Sequence, residues 1–96
     1  MAVRIDVEQL GLREYAVEVL DEDDDPGAAT QHRVVVPSGV LDRLLLDEDD
    51  GAALVRATFE FLLERTTADA LPEEMSLVEV AEEHEDYDEE MRDRLS

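Results

Sequence analysis

Asp21, Asp23 and Asp25 fall at the first, third and fifth positions of a calcium-loop pattern. Such a loop needs glycine at its sixth position for the sharp turn and a bidentate Glu at its twelfth, where this chain has Pro26 and His32. Counting from Asp47 instead puts Ala52 and Thr58 at those two places. These acids are expected to condense cations weakly rather than to hold one specifically. His84 stands in the run EEHEDYDEE, and imidazole among carboxylates is a donor set for transition metals. The other histidine, His32, lies on a strand far away in sequence, so His84 is expected to pack at the edge of a C-terminal helix face. Ser38 and Ser76 are both placed to cap helices, which occupies their hydroxyls. The scattered glycines make no phosphate-cradling loop. Acid–base catalysis needs carboxylates desolvated in an apolar cleft, and no segment marks one. The expectation is a chain with no catalytic residue, no cofactor and no metal site, and hence no enzyme.

The elements that would position these residues can be read from periodicity. Val3, Ile5 and Val7 alternate with Arg4, Asp6 and Glu8, and Tyr15, Val17 and Val19 with Glu14, Ala16 and Glu18, giving two half-buried strands. DEDDDPGAAT has no period, so 21–29 reads as an exposed acidic loop. HRVVV is a third strand whose unbroken valines predict burial on both faces, and Pro37 ends it. A short helix follows with Val40, Leu41, Leu44 and Leu45 on one face, then a longer helix over Gly51–Arg65. An interhelix loop spans 66–75. Beyond it, Ser76 with Glu79 and Asp86 with Glu89 are capping-box spacings, so the C-terminus is one kinked helix or two short ones. Asp88–Arg92 and Glu90–Arg94 are spaced as ion pairs on its outer face. The fold class is α+β, a three-stranded antiparallel sheet followed by three to four helices packed on one face, in a single domain over 1–96.

A strand running into two helices is also the order of ribbon-helix-helix DNA-binding proteins. In those dimers the strand pairs with its twin and reads the major groove, yet Arg33 is the only cation on HRVVV. Electrostatics weigh against nucleic acid more heavily: 28 acidic residues face eight arginines and no lysine, for a formal charge of −20. A surface of that sign repels phosphates. It also repels itself until salt shortens the screening length from about 10 Å at 0.1 M to about 3 Å at 1 M. Because the acids are spread along the whole chain, the coat reads as adaptation to concentrated salt; a partner-binding acidic surface is the rival reading. With no cysteine and no apolar run of membrane-spanning length, the expected location is cytoplasmic, with no membrane partner.

One helix carries an expectation about association. At 100° per residue the apolar arc from Ala57 and Phe61 through Leu54 to Leu63 spans about 240°, against about 100° for an ordinary surface helix. A small domain is short of material to cover so wide an arc. The Ala57 and Phe61 flank is therefore expected to lie at a homodimer interface.

TQHRVVVPSGVLDRL, ALVRATFEFLLER and SLVEVAEEHEDYDEEMRDRL together resemble a group of short uncharacterised bacterial proteins. The pattern of that group runs T-x-H-R-V-x-V-P, then L-V-R-x-S-F-x-F-L-L-E-R-E-P, then a helix leading to Y-F-P-E-Y. The resemblance covers Tyr15 to the end and is anchored on Leu54–Val55–Arg56 and Phe59 to Arg65. Here Thr66–Thr67 stand in place of Glu-Pro, and His84–Glu85 in place of Phe-Pro. The resemblance implies a small α+β domain and transfers no catalytic or binding residue. The functional expectation is a small acidic, non-enzymatic protein-interaction or structural module with a salt-adapted surface; the alternative is a regulator or antitoxin of ribbon-helix-helix type.

Overall fold

The computed structural model describes residues 3–21 and 29–95. The acidic loop expected at 21–29 falls, across 22–28, outside the described residues. The order is β1 (Val3–Gly11), β2 (Glu14–Asp21), β3 (Thr30–Val35), α1 (Ser38–Arg43), α2 (Gly51–Leu63), β4 (Glu74–Ser76), α3 (Leu77–Glu83) and α4 (Tyr87–Leu95). Single 3-10 turns at Glu48–Asp50 and Ala68–Ala70 precede α2 and β4.

The α+β class is as expected, but the sheet has four strands, ordered β1-β2-β3-β4. The first three form an antiparallel meander, with Val7 opposite Val17 and Val17 opposite His32. The fourth runs parallel to β3, with Val34 opposite Met75. The segment 66–75 is therefore not simply a loop. Parallel neighbours require a long crossover, and α1 with α2 supplies it. β4 is only three residues long, too short to show a period of two.

β3 is an internal strand, as its valines imply, but it is buried on one face only. His32, Val34 and Val36 point into the core while Val35 is 44% exposed. The same alternation puts Ile5, Tyr15, Val17 and Val19 inward, against Leu54, Val55, Phe59 and Leu62 of α2. The opposite face keeps Asp6, Glu8, Glu18, Gln31, Arg33 and Glu74 in water. At the start of α2 the close approach is extreme: a Cβ built on Gly51 would lie 2.0 Å from the Tyr15 hydroxyl oxygen.

Helix termini differ from expectation in detail. Ser38 is the first residue of α1, not its cap; Pro37 holds that place and makes no side-chain bond. Ser76 does cap α3, its Oγ accepting from the Val78 amide at 3.3 Å. α1 ends in a Schellman motif: the Leu46 amide donates to Leu41 O at 2.9 Å and the Leu45 amide to Asp42 O at 3.1 Å. Leu45 holds the left-handed position there, with φ 58, where glycine is usual.

The C-terminus is two helices. His84, at φ −126 and ψ 107, is extended and breaks the chain between α3 and α4 without a proline. α4 folds back onto α2 and buries Tyr87 and Met91 completely. This return overturns the premise for placing Ala57 and Phe61 at an interface. Ala57 is 5% and Phe61 1% exposed in the single chain. His84 and Tyr87 meet the Phe61 ring edge-on at centroid distances of 5.2 and 5.9 Å. The Arg65 guanidinium covers the ring at 4.2 Å, with that of Arg94 at 5.8 Å. The wide apolar arc of α2 is satisfied within the monomer, by aromatic edges and by the apolar stems of arginines.

Candidate functional site

One face of the sheet is polar and uncovered among the described residues, and its composition follows from strand register. Cross-strand partners share a face, so Asp6, Glu18 and Gln31 form one row, and Glu8, Ala16, Arg33 and Glu74 the next. Glu14 and Val35 open a third row. A trough of about 1000 Å³ lies over these rows. Asp6 directly opposite Glu18 is a like-charge pair, which weakens a sheet rather than holding it. Partial compensation comes from Gln31, whose Nε2 donates to Glu18 Oε2 at 3.5 Å, and from Arg33, whose Nε stands 3.4 Å from Glu14 Oε1. The arrangement can attract cations and basic groups. Its lining is mixed, with Leu10, Ala16 and Leu71 beside the carboxylates of Asp6, Glu8 and Glu18.

The residues singled out in the sequence are not brought together. Arg33 lies on the open face; His32, one residue earlier, faces the core. His32 is 5% exposed, with Nδ1 2.7 Å from Pro72 O, Nε2 2.9 Å from Thr30 Oγ1 and its ring 5.4 Å from that of Phe59. It fastens the segment before β4 to β3, beside the bond from the Arg33 amide to Glu73 O at 2.6 Å. His84 packs on Phe61 at the end of α3. Asp86 next to it is hydrogen-bonded to Arg65, which holds its carboxyl below the ordinary range. Asp88 does not pair with Arg92: it binds Arg43 at 2.8 Å, and Arg92 donates to Arg43 O at 3.3 Å. Glu90 and Arg94 do pair, at 3.5 Å, and Arg94 also reaches Glu64 at 2.7 Å. Among the described residues no group of three or more His, Asp or Glu side chains gathers to hold a metal ion.

A buried polar pair escaped the sequence reading. Thr58 Oγ1 donates to Leu54 O at 2.8 Å and stands 2.8 Å from the Tyr87 hydroxyl, with Met91 Sδ at 3.6 Å. Burial pushes the Tyr87 phenol up to about 12. The available signal was a threonine between Leu54 and Leu62 in an i, i+4 apolar row, since a buried hydroxyl there needs a partner. The pair is structural: it lies inside the core between α2 and α4, away from the trough.

No family model, curated protein or solved structure matches the chain. Among the described residues no helix is long and apolar enough to cross a membrane.

Proposed function

We propose that the protein is a non-enzymatic protein-interaction or structural module, cytoplasmic and homodimeric, whose acidic coat adapts it to concentrated salt. The observation that carries this reading is the one-sidedness of the fold. Among the described residues the core lies on a single face of the sheet, and no other element covers the second face or the β1 edge. An exposed sheet is a binding platform by construction, and the acids on it set the sign of what it attracts. The resemblance to the HRVxVP and LVRxSFxFLLER group agrees with a small domain of this class and adds no activity.

The ribbon-helix-helix alternative meets a topological obstacle. β3 is bonded on one edge to β2 and on the other to β4, so a twin strand would have to displace β4 to reach it. Titration of labelled mixed-sequence duplex DNA, read by anisotropy, separates the two readings. The module reading expects no saturable binding at low salt. Affinity that strengthens as salt falls would favour the DNA-binding reading.

A further inference from the structure

We propose that β1 is the homodimer interface: two copies pair their β1 strands antiparallel about a two-fold axis through Ile5 and extend the four-stranded sheet to eight. This rests on the homodimer reading above and supplies the surface that α2 does not. β1 ends the sheet, and β2 takes only one of its edges. Among the described residues it is the longest strand, at nine residues. Its single irregularity, between Gln9 and Gly11, lies at the far end from Ile5. Exposed edges are normally blunted by proline, by a bulge, by inward-pointing charge or by outward charge that repels a copy. Around Ile5 the strand has no proline, bulge or inward charge: Ile5 is buried in the core and Val7 is partly buried against it. What it has is outward-facing charge, in an order that selects a partner.

Pairing that keeps both helical layers on the same side of the joined sheet must set odd residues opposite odd and even opposite even. Centring on Arg4 would oppose two arginines, and centring on Asp6 two aspartates. Centring on Val7 would set Asp6 against Glu8 twice. Centring on Ile5 sets Arg4 of each copy opposite Asp6 of the other, so both outward pairs attract. Within one chain Arg4 Nε and Asp6 Oδ2 already lie 3.6 Å apart on the same face. Joined about Ile5, the two pairs become a patch of four alternating charges. The same chain that repels its copies through a charge of −20 thus carries a locally self-complementary edge. Association is accordingly favoured once salt screens the long-range repulsion while leaving contact pairs effective.

The test is sedimentation equilibrium at about 0.3 M KCl, where the screening length of about 6 Å still spans a cross-strand pair. The wild type is compared with Arg4→Asp, Asp6→Arg and the double swap, each confirmed folded by its melting curve. Either single reversal is expected to raise the dimer Kd about tenfold, because two symmetric attractions become repulsions. The double swap is expected to return the Kd to within about threefold of wild type, because the alternation is restored. Hydrogen exchange in β1 should also slow as concentration rises through the wild-type Kd. A dimer that ignores the single reversals, or whose β1 exchange is independent of concentration, overturns the β1 interface while leaving the homodimer reading intact. A wild type still monomeric at about 100 µM overturns both.

Discussion

Tyr87 shows how closely a single side chain ties the C-terminal helix to the core. Its hydroxyl reaches Thr58 in a site with no solvent, so deleting it leaves Thr58 one partner short. Tyr87→Phe should lower stability by about 1 kcal/mol, the net worth of a buried hydrogen bond, measured by denaturant unfolding. It should also change the alkaline limit. A phenol whose folded pKa is raised from 10.0 to about 12 binds its proton more tightly in the native state. That contribution is fully present below pH 10 and is lost as pH rises toward 12. The wild type should therefore lose stability more steeply than Tyr87→Phe between pH 10 and 12. Parallel pH profiles for the two proteins would remove the proton-linked part of this account.

A matched pair of glycines tests the packing at the same scale. Gly39 has open space where a Cβ would go, whereas Gly51 meets the Tyr15 hydroxyl. Gly39→Ala should add about 0.5–1 kcal/mol, the ordinary entropic gain in a helix. Gly51→Ala, also helical, should instead subtract about 1–3 kcal/mol, because the Tyr15 ring must move out of a close-packed core. Thermal melts giving both substitutions the same sign would mean that the Tyr15–Gly51 contact does not constrain the fold.

At the scale of elements, legibility in the sequence follows length and locality. β1, β2 and α2 each repeat their period several times, so alternation or an i, i+4 row is enough to find them, while β3 is marked by a β-branched run that Pro37 ends. β4 was missed because three residues carry no period; its existence depends on the partner edge of β3 and on the His32–Pro72 contact, neither of which is local. The two-faced burial expected of Val34–Val36 failed for a related reason. Three valines in a row describe a strand, but only topology says whether a second layer covers it. The Ala57 and Phe61 flank was misread because its cover comes from α4, which starts 26 residues after Phe61 in sequence. As for a functional site, the charges of the open face were visible as residue types, while their assembly into rows required the register.

Leu45 belongs to this scale because its strain comes from how α1 ends. It is 88% exposed and sits at φ 58, so it gains little burial where an L side chain is disfavoured. Leu45→Gly should raise the monomer's stability by up to about 1 kcal/mol, relief of left-handed strain exceeding the added chain entropy. A melt that falls instead would show that the Leu45 side chain supports the turn, with Leu44, Leu46, Met91 and Leu95 forming the nearby apolar groove.

For the whole molecule the deciding quantity is the balance between local attraction and general repulsion. The ion pairs Arg43–Asp88, Arg65–Asp86 and Arg33–Glu14 join half-exposed or exposed side chains, and Arg94, though largely covered itself, pairs with an exposed Glu64. Pairs of that kind contribute at most about 1 kcal/mol each, and salt weakens them. Against them stands an excess of 20 negative charges on 96 residues, with Asp6 facing Glu18 on one side of the sheet. If the coat is adapted to concentrated salt, repulsion must dominate and screening must stabilise. The direct measurement is Tm across KCl from about 0.1 to 2 M, a range that takes the screening length from about 10 Å to about 2 Å. A Tm that rises throughout is the predicted result. A Tm that stays flat or falls would mean that the attractive pairs prevail, and would contradict the reading of the acidic surface as an adaptation to salt.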